Sequence, residues 1–390
     1  MTSDLGYIAF GKQTSALVAV TPGSYVPAYD ETLTTDLNYD EDQSIYGAKF
    51  ARLQSIQGQR SHTGDITVLA EPNTTAQIID MLLTRGSVTG SDPYTWPFTL
   101  SATDPNFYTM DISNGFSVVR FFGVGASKLT PMFEKNMMRH KVSVSALGAF
   151  AGREIASVST TTLTLSTAYD AAPTTGLVVG DLVKCVKASD NSTTNFTISS
   201  LTATTVVLNA TAAAYASGDM LVLRPATVSL PALYNMPFTW ARTQFCYGAT
   251  ASAALSATQT QAEQGSTWTA SHNFKDDKGE HRSGTLDPAA LLRTRGDLEV
   301  KVDLIFTGPD QANTFTGYKT GALVIRCFAG AGNIYELRLT LNSIRVKKGG
   351  DKPQLKSGEH EYYSLEYAAD YNSGDGQAWD LKVINKLAAT

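Results

Sequence analysis

A chain of 390 residues, 43% hydrophobic and 17% charged, has the length for two or three domains that each bury a core. Its 31 basic and 36 acidic residues leave a net charge of −5, which excludes the basic surface that tight binding to DNA or an anionic membrane requires. No apolar run approaches the ~20 residues that span a bilayer and no basic-then-apolar leader opens the chain, while three cysteines, odd in number and far apart, fit a reducing cytoplasm.

Residues 1 to about 32 place Gly6, Gly11, Pro22, Gly23 and Pro27 among short apolar pieces, which predicts an extended arm. From Thr34 to Gly64 the chain is polar and reads as a long exposed hairpin or loop, with Asp40, Glu41 and Asp42 at its tip. Alternation from Asp65 to Ala70 predicts a strand with Ile66, Val68 and Ala70 on one face. Pro72-Asn73 breaks it, and Asn73 is the expected cap of a helix carrying Ala76, Ile79, Leu82 and Leu83, with Arg85 in its last turn and Gly86 as the stop. Further strands are predicted at Thr95–Ser101, Tyr108–Ile112 and Val118–Val124. The alternating His140, Val142, Val144 and Ala146 close a first unit, 1–152.

Residues 153–225 change character. Fourteen of these 73 residues are threonine and nine are charged. Val158–Leu165 resembles Leu201–Leu208, and each is followed by a Gly-Asp strand start, Gly180-Asp181 and Gly218-Asp219. This predicts a small inserted all-β barrel with pseudo-two-fold symmetry.

The third part, 226–390, echoes the first. Asn273-Phe274-Lys275-Asp276-Asp277 stands before Gly296-Asp297 much as Asn38–Asp42 stands before Gly64-Asp65, so Lys275, Asp276 and Asp277 are a second expected hairpin tip. In the strand from Asp297, Leu298, Val300, Val302, Leu304 and Phe306 face one way and Asp297, Glu299, Lys301 and Asp303 the other. Tyr335, Leu337, Leu339 and Leu341 alternate, yet the next apolar pair is Ile344 and Val346. That slip of phase predicts a β-bulge near Asn342. Strands follow at Tyr363–Ala369 and Trp379–Val383, and Pro309 to Gly317 could form a second helix.

Nothing along the chain spells catalysis. The five histidines lie singly, which reads as surface or capping roles, and no zinc, phosphate-loop, dinucleotide or nucleophile-elbow spacing occurs. The acidic tips lack calcium-loop spacing and read as solvated turns. Asp297, Glu299 and Asp303 read as the solvated side of a sheet rather than a catalytic carboxylate set. Cys185, Cys246 and Cys327, odd in number and far apart, read as buried small hydrophobes. No catalytic residue, cofactor or metal ligand is singled out.

With Gly11–Ser15 leading to Pro27 as an arm, a hairpin ending at Gly64-Asp65, the helix Thr75–Leu83 and the strands Val119–Val124 and Lys141–Ser145, the chain resembles the tail tube (major tail) proteins of tailed bacteriophages of the long non-contractile type. The resemblance covers roughly 1–150 and 226–390. It implies a mainly β fold: two tandem β-sandwich units, each with a flanking helix, plus the inserted barrel as an outer domain. It also implies a virion structural protein, not an enzyme, whose rings stack into a hollow tube holding a tape-measure protein and then passing DNA. Tail-terminator and tail-tip proteins would be further partners, and no membrane is involved. Six units of four strands at about 4.8 Å spacing give a wall ~115 Å round and a lumen of ~27 Å, wide enough for a duplex. Asp297, Glu299 and Asp303 would face that lumen, where an acidic or neutral lining lets DNA slide. The echo between the halves implies a trimeric, pseudo-six-fold ring, a hexamer of whole chains being the alternative. Other readings are a capsid, decoration or tail-tip protein, or a carbohydrate-binding module using Tyr215, Trp240, Trp268 and Trp379.

Overall fold

A computed structural model describes residues 6–42, 54–100, 104–168, 170–227, 237–257, 266–274, 287–288, 290–305, 320–349 and 362–388. The expected tip Lys275, Asp276 and Asp277 and the expected helix 309–317 lie outside these residues.

The first flank supplies β1 (Tyr7–Lys12), β2 (Ser24–Val26), β3 (Ala28–Glu31), β4 (Thr34–Asp36), β5 (Tyr39–Asp42), β6 (Gln54–Gln57) and β7 (Ser61–Leu69). After these come α1 (Pro72–Leu82), β8 (Thr84–Arg85), β9 (Thr89–Gly90), β10 (Tyr94–Thr99), β11 (Tyr108–Ser113), β12 (Val118–Glu134), β13 (Met137–Ala146) and β14 (Gly148–Phe150). The middle gives β15 (Arg153–Ser159), β16 (Thr162–Leu165), β17 (Leu182–Val186), β18 (Thr193–Leu201), β19 (Thr205–Leu208) and β20 (Met220–Leu223). The second flank adds β21 (Thr243–Gly248), α2 (Ala251–Leu255), β22 (Thr267–Ser271), β23 (Asp297–Ile305), β24 (Thr320–Ala329), β25 (Tyr335–Gly349), β26 (Tyr362–Ala369) and β27 (Trp379–Asn385). The chain is mainly β.

The middle strands close on themselves as a six-stranded barrel in the order β15–β16–β19–β18–β17–β20 and back to β15. Its halves correspond. The β15–β16 and β18–β19 hairpins carry matching bulges at Ile155/Ser157 and Ile198/Ser200, and Asp181 and Asp219 accept from Val178 N–H and Ala216 N–H at 2.8 and 2.9 Å. The barrel has its own core around Ile155, Leu163, Val183, Ile198, Val206 and Leu221, which Val118 and Phe150 of the first flank join.

The two flanks share one core, from Ile8 and Phe10 to Leu381 and Val383. They also share strand pairings, since β12 pairs with β22 and β10 with β27. Helix α1 lies inside this core, packed against β12, β27 and β10. It is buried on nearly every side, Ile78 and Met81 as fully as Ile79 and Leu82, as a helix enclosed between layers must be. Pro72 occupies its first turn, and the Glu71 carboxylate, not Asn73, caps it by accepting from the N–H groups of Asn73 and Thr74. The Asn73 side chain instead accepts from Lys386 N–H at 3.2 Å. Extended Leu83, not Gly86, ends the helix. In the second flank the described helix is the short α2, which packs Ala254 on Ala322 and Val324 of β24.

Sheet order recurs between the flanks. The first reads β4–β7–β13–β12–β11–β1 with β14 also on β12. The second reads β22–β23–β26–β25–β24–β21 with β27 also on β25. Both long central strands carry two bulges at matching places. Tyr108 and Met110 face Val124 and Phe121, as Gly321 and Leu323 face Ile344 and Leu341, so two residues of the long strand oppose one of its partner in each case. Ala126 and Lys128 face Val144 and Ser143, as Val346 and Lys348 face Tyr367 and Glu366. The first of these in β25 is the bulge expected near Asn342. The register also corrects the echo: Gly64 pairs with Val144 where Val300 pairs with Tyr367, so Val300, not Gly296, stands in the place of Gly64. The displacement is even, so the buried Ile66 and Val302 still correspond face for face.

Candidate assembly surface

The seam between the flanks is built by the second half of β12. One edge pairs with β13, and the other receives β22, with Lys128 opposite Ser271 and Leu129 opposite Ala270. Thr130 and Thr269 bring their hydroxyls to 3.1 Å, and Thr267 Oγ1 donates to the Pro131 carbonyl at 3.1 Å. Arg293 pins the end of this seam by donating to the carbonyls of Ala126, His272 and Met81 at 2.8, 3.0 and 2.7 Å. Burial pushes its guanidinium down to about 10.

Across the seam runs one continuous sheet, β4–β7–β13–β12–β22–β23–β26–β25, four strands from each flank. One face enters the core through Ile66, Val142, Leu129, Ala270, Val300 and Tyr367. The other is polar, because strand side chains alternate sides. A single rung crosses it as Asp65, Ser143, Lys128, Ser271 and Asp297. The Ser143 hydroxyl, 2.6 Å away, and the Lys141 ammonium at 3.0 Å hold the Asp65 carboxyl below its usual range. A cleft of about 1060 Å³ opens on this face, lined by Lys128, Thr269, Ser271, Asp297, Glu299 and Asp370 among others.

The expected lumen residues divide. Asp297 and Glu299 are exposed on the polar face. Asp303 is only 5% exposed: Ser266 Oγ, just before β22, accepts from its backbone N–H at 2.9 Å and Lys301 reaches its carboxylate at 3.2 Å, so it does not line the open surface. The face is also of mixed charge, with Lys128, Lys141 and Lys301 standing among the acids. Asp40, Glu41 and Asp42 lie in β5, which pairs with β6 as a separate two-stranded hairpin. The aromatic set is unsuited to stacking a sugar, for Tyr215, Trp268 and Trp379 are buried and Trp240 packs edge-on against Phe133.

Three polar groups escaped the reading of the sequence. His62, His140 and His272 are buried rather than surface residues; His140 sits with Nε2 2.9 Å from Thr75 Oγ1 and joins β13 to α1. His281 and His360 lie outside the described residues. Asp80, fully buried in α1, accepts from Asn106 and from the Tyr108 hydroxyl at 2.9 and 2.8 Å, with Arg85 and Lys12 at 3.7 and 4.0 Å. Arg120 lies between Asp111 and the barrel's Asp181. The seam itself had a signal: past the bulge at Ser127, Lys128, Thr130 and Met132 alternate with Leu129, Pro131 and Phe133, which extends the strand well beyond Val124. Among the described residues no group of three or more His, Cys, Asp or Glu side chains stands close enough to hold a metal ion, and no helix is long and apolar enough to cross a membrane. Comparison of the sequence with protein-family models and with curated proteins yields no match.

Proposed function

We propose that this chain is a structural subunit that closes head to tail into rings, and that the rings stack into the hollow tail tube of a tailed bacteriophage. The observation that carries this reading is the repeated sheet order whose first copy is already joined edge-on to the second through Lys128 and Ser271. Each flank acts as one tandem tube unit, and a single chain supplies two of the six positions of a ring. Three chains continue the four-plus-four strand sheet around the axis as about twenty-four strands, with a lumen of ~27 Å from the strand spacing. The polar face carrying Asp297 and Glu299 lines that lumen, where its mixed charge gives phosphates no basic track to grip. The tape-measure protein occupies the lumen before DNA passes, and terminator and tip proteins cap the ends in the virion. The barrel stands away from the lumen as an outer domain, since it attaches to the first half of β12 and to β14.

Electron microscopy of the purified protein tests the reading. Hollow tubes or stacked rings are expected, with three chains per ring by mass. A protein that stays monomeric at every concentration would overturn it, and six chains per ring would end the assignment of two units to one chain.

A further inference from the structure

Resting on that reading, we infer which two edges meet between neighbouring chains and in what register: β4 of one chain pairs with the last residues of β25 of the next. The argument comes from correspondence within the chain. The sheet register equates β22 with β4, since each borders the strand that pairs with β13 or β26: Thr34 and Thr35 face Thr63 and His62 as Thr269 and Ala270 face Glu299 and Leu298. It equally equates Lys128 and Leu129 of β12 with Lys348 and Gly349 of β25, which follow the same second bulge.

Within the chain, the edge of β12 at Lys128 and Leu129 is filled by β22. Among the described residues its counterpart on β25 has no partner strand: β24 follows that edge only as far as Arg345. The same holds for the counterpart of β22. Among the described residues strand β4 pairs only with β7, and Thr34, Thr35 and Asp36 are all exposed. Among the described residues, one edge without a strand and one strand without an outer partner are the two halves of the contact made at the internal seam. Unpaired strand edges seek partners, and a heterologous contact of this kind closes a ring when its rotation repeats. Carrying the seam across gives the register: Asp36 opposite Lys348 and Thr35 opposite Gly349. The acid and the base fall at facing positions, which favours this register over its neighbours.

The test uses the full chain carrying Asp36→Cys and Lys348→Cys. Directly opposed residues on antiparallel strands lie about 4.5–5.5 Å apart at Cα, within disulfide reach. The native Cys185, Cys246 and Cys327 are all buried and leave the background low. On mild oxidation a ladder of covalent species is expected that stops at the ring number and collapses on reduction, while the pair Asp36→Cys with Arg345→Cys stays largely unlinked. Independently, Asp36→Lys should weaken association at least tenfold and added Lys348→Asp should restore it. Tubes that form without cross-linking or charge-swap rescue overturn the edge assignment and leave the tube standing. Cross-linked closed rings that never stack support the edge pairing and end the tube reading. A chain that neither associates nor cross-links overturns both.

Discussion

Arg120 donates through Nη1 to Asp181 at 2.5 Å, and this contact fastens the barrel to the first flank. The rest of the guanidinium grips Asp111 at 2.7 and 2.9 Å, and Thr21 Oγ1 donates to the far oxygen of Asp181 at 2.8 Å. Arg120 and Asp181 are 2% and 1% exposed, so the cluster is dry. Burial pushes the Asp111 carboxyl up even with the guanidinium beside it. Removing the cation would strand two buried acids. Arg120→Ala is expected to cost about 3–5 kcal/mol in chemical denaturation, and a loss below about 1 kcal/mol would mean the cluster does not fasten the barrel.

The barrel's ends are neighbours, since Arg153 pairs with Leu221. Replacing 153–225 with a short Gly/Ser linker is therefore expected to leave ring and tube formation intact, because closing so small a gap costs little. Stability should fall all the same, as Val118 and Phe150 lose their cover, each contributing about 1.5–3 kcal/mol when fully buried. An insoluble or non-polymerising product would place the barrel in the tube wall.

His140 should make stability depend on pH. Its complete burial pushes the imidazole down to about 3, against about 6.5 when unfolded. Between those values the unfolded chain holds the extra proton. Stability from this group is thus complete above about pH 6.5 and declines as pH falls toward 3, by up to about 1.4 kcal/mol per pH unit. His140→Gln should flatten the fall in melting temperature between pH 6.5 and 5. Equal slopes for both proteins would show that His140 does not titrate as described.

The bulge in β24–β25 depends on Gly321. Its φ of +122° suits glycine, and a Cβ there would come 2.6 Å from the Gly248 carbonyl oxygen. Gly321→Ala is expected to cost about 1–3 kcal/mol, read by thermal or denaturant unfolding. A neutral result would mean the strand can shed the bulge.

On the proposed tube reading, the polar face predicts how charge would alter passage of DNA. Asp297→Lys with Glu299→Lys changes exposed side chains and should leave tubes intact, while ejection slows and becomes salt-dependent as phosphates gain contacts. Unchanged ejection kinetics from virions carrying both substitutions would remove this face from the lumen.

Local pattern alone carried much of this structure. Alternation placed Ile66, Val68, Val142 and Val144 on buried faces, and the phase slip between Leu341 and Ile344 disclosed a bulge before any partner strand was known. The repeated threonine-rich segments with Gly180-Asp181 and Gly218-Asp219 disclosed a symmetric barrel. These signals are legible because strand periodicity and turn chemistry act between residues close in sequence. What only the tertiary structure decided is which edge meets which. The echo of Gly64 at Gly296 is displaced from the true correspondence because an even slip keeps every side chain on its own face, so hydrophobic pattern cannot detect it. Asp303 carries the polar phase of its strand yet is buried by Ser266 and Lys301, and Asp181 becomes half of a buried ion pair only because Arg120 arrives from 61 residues earlier. Register and burial of charge are settled by partners far along the chain, and those partners exist only once the sheet has formed.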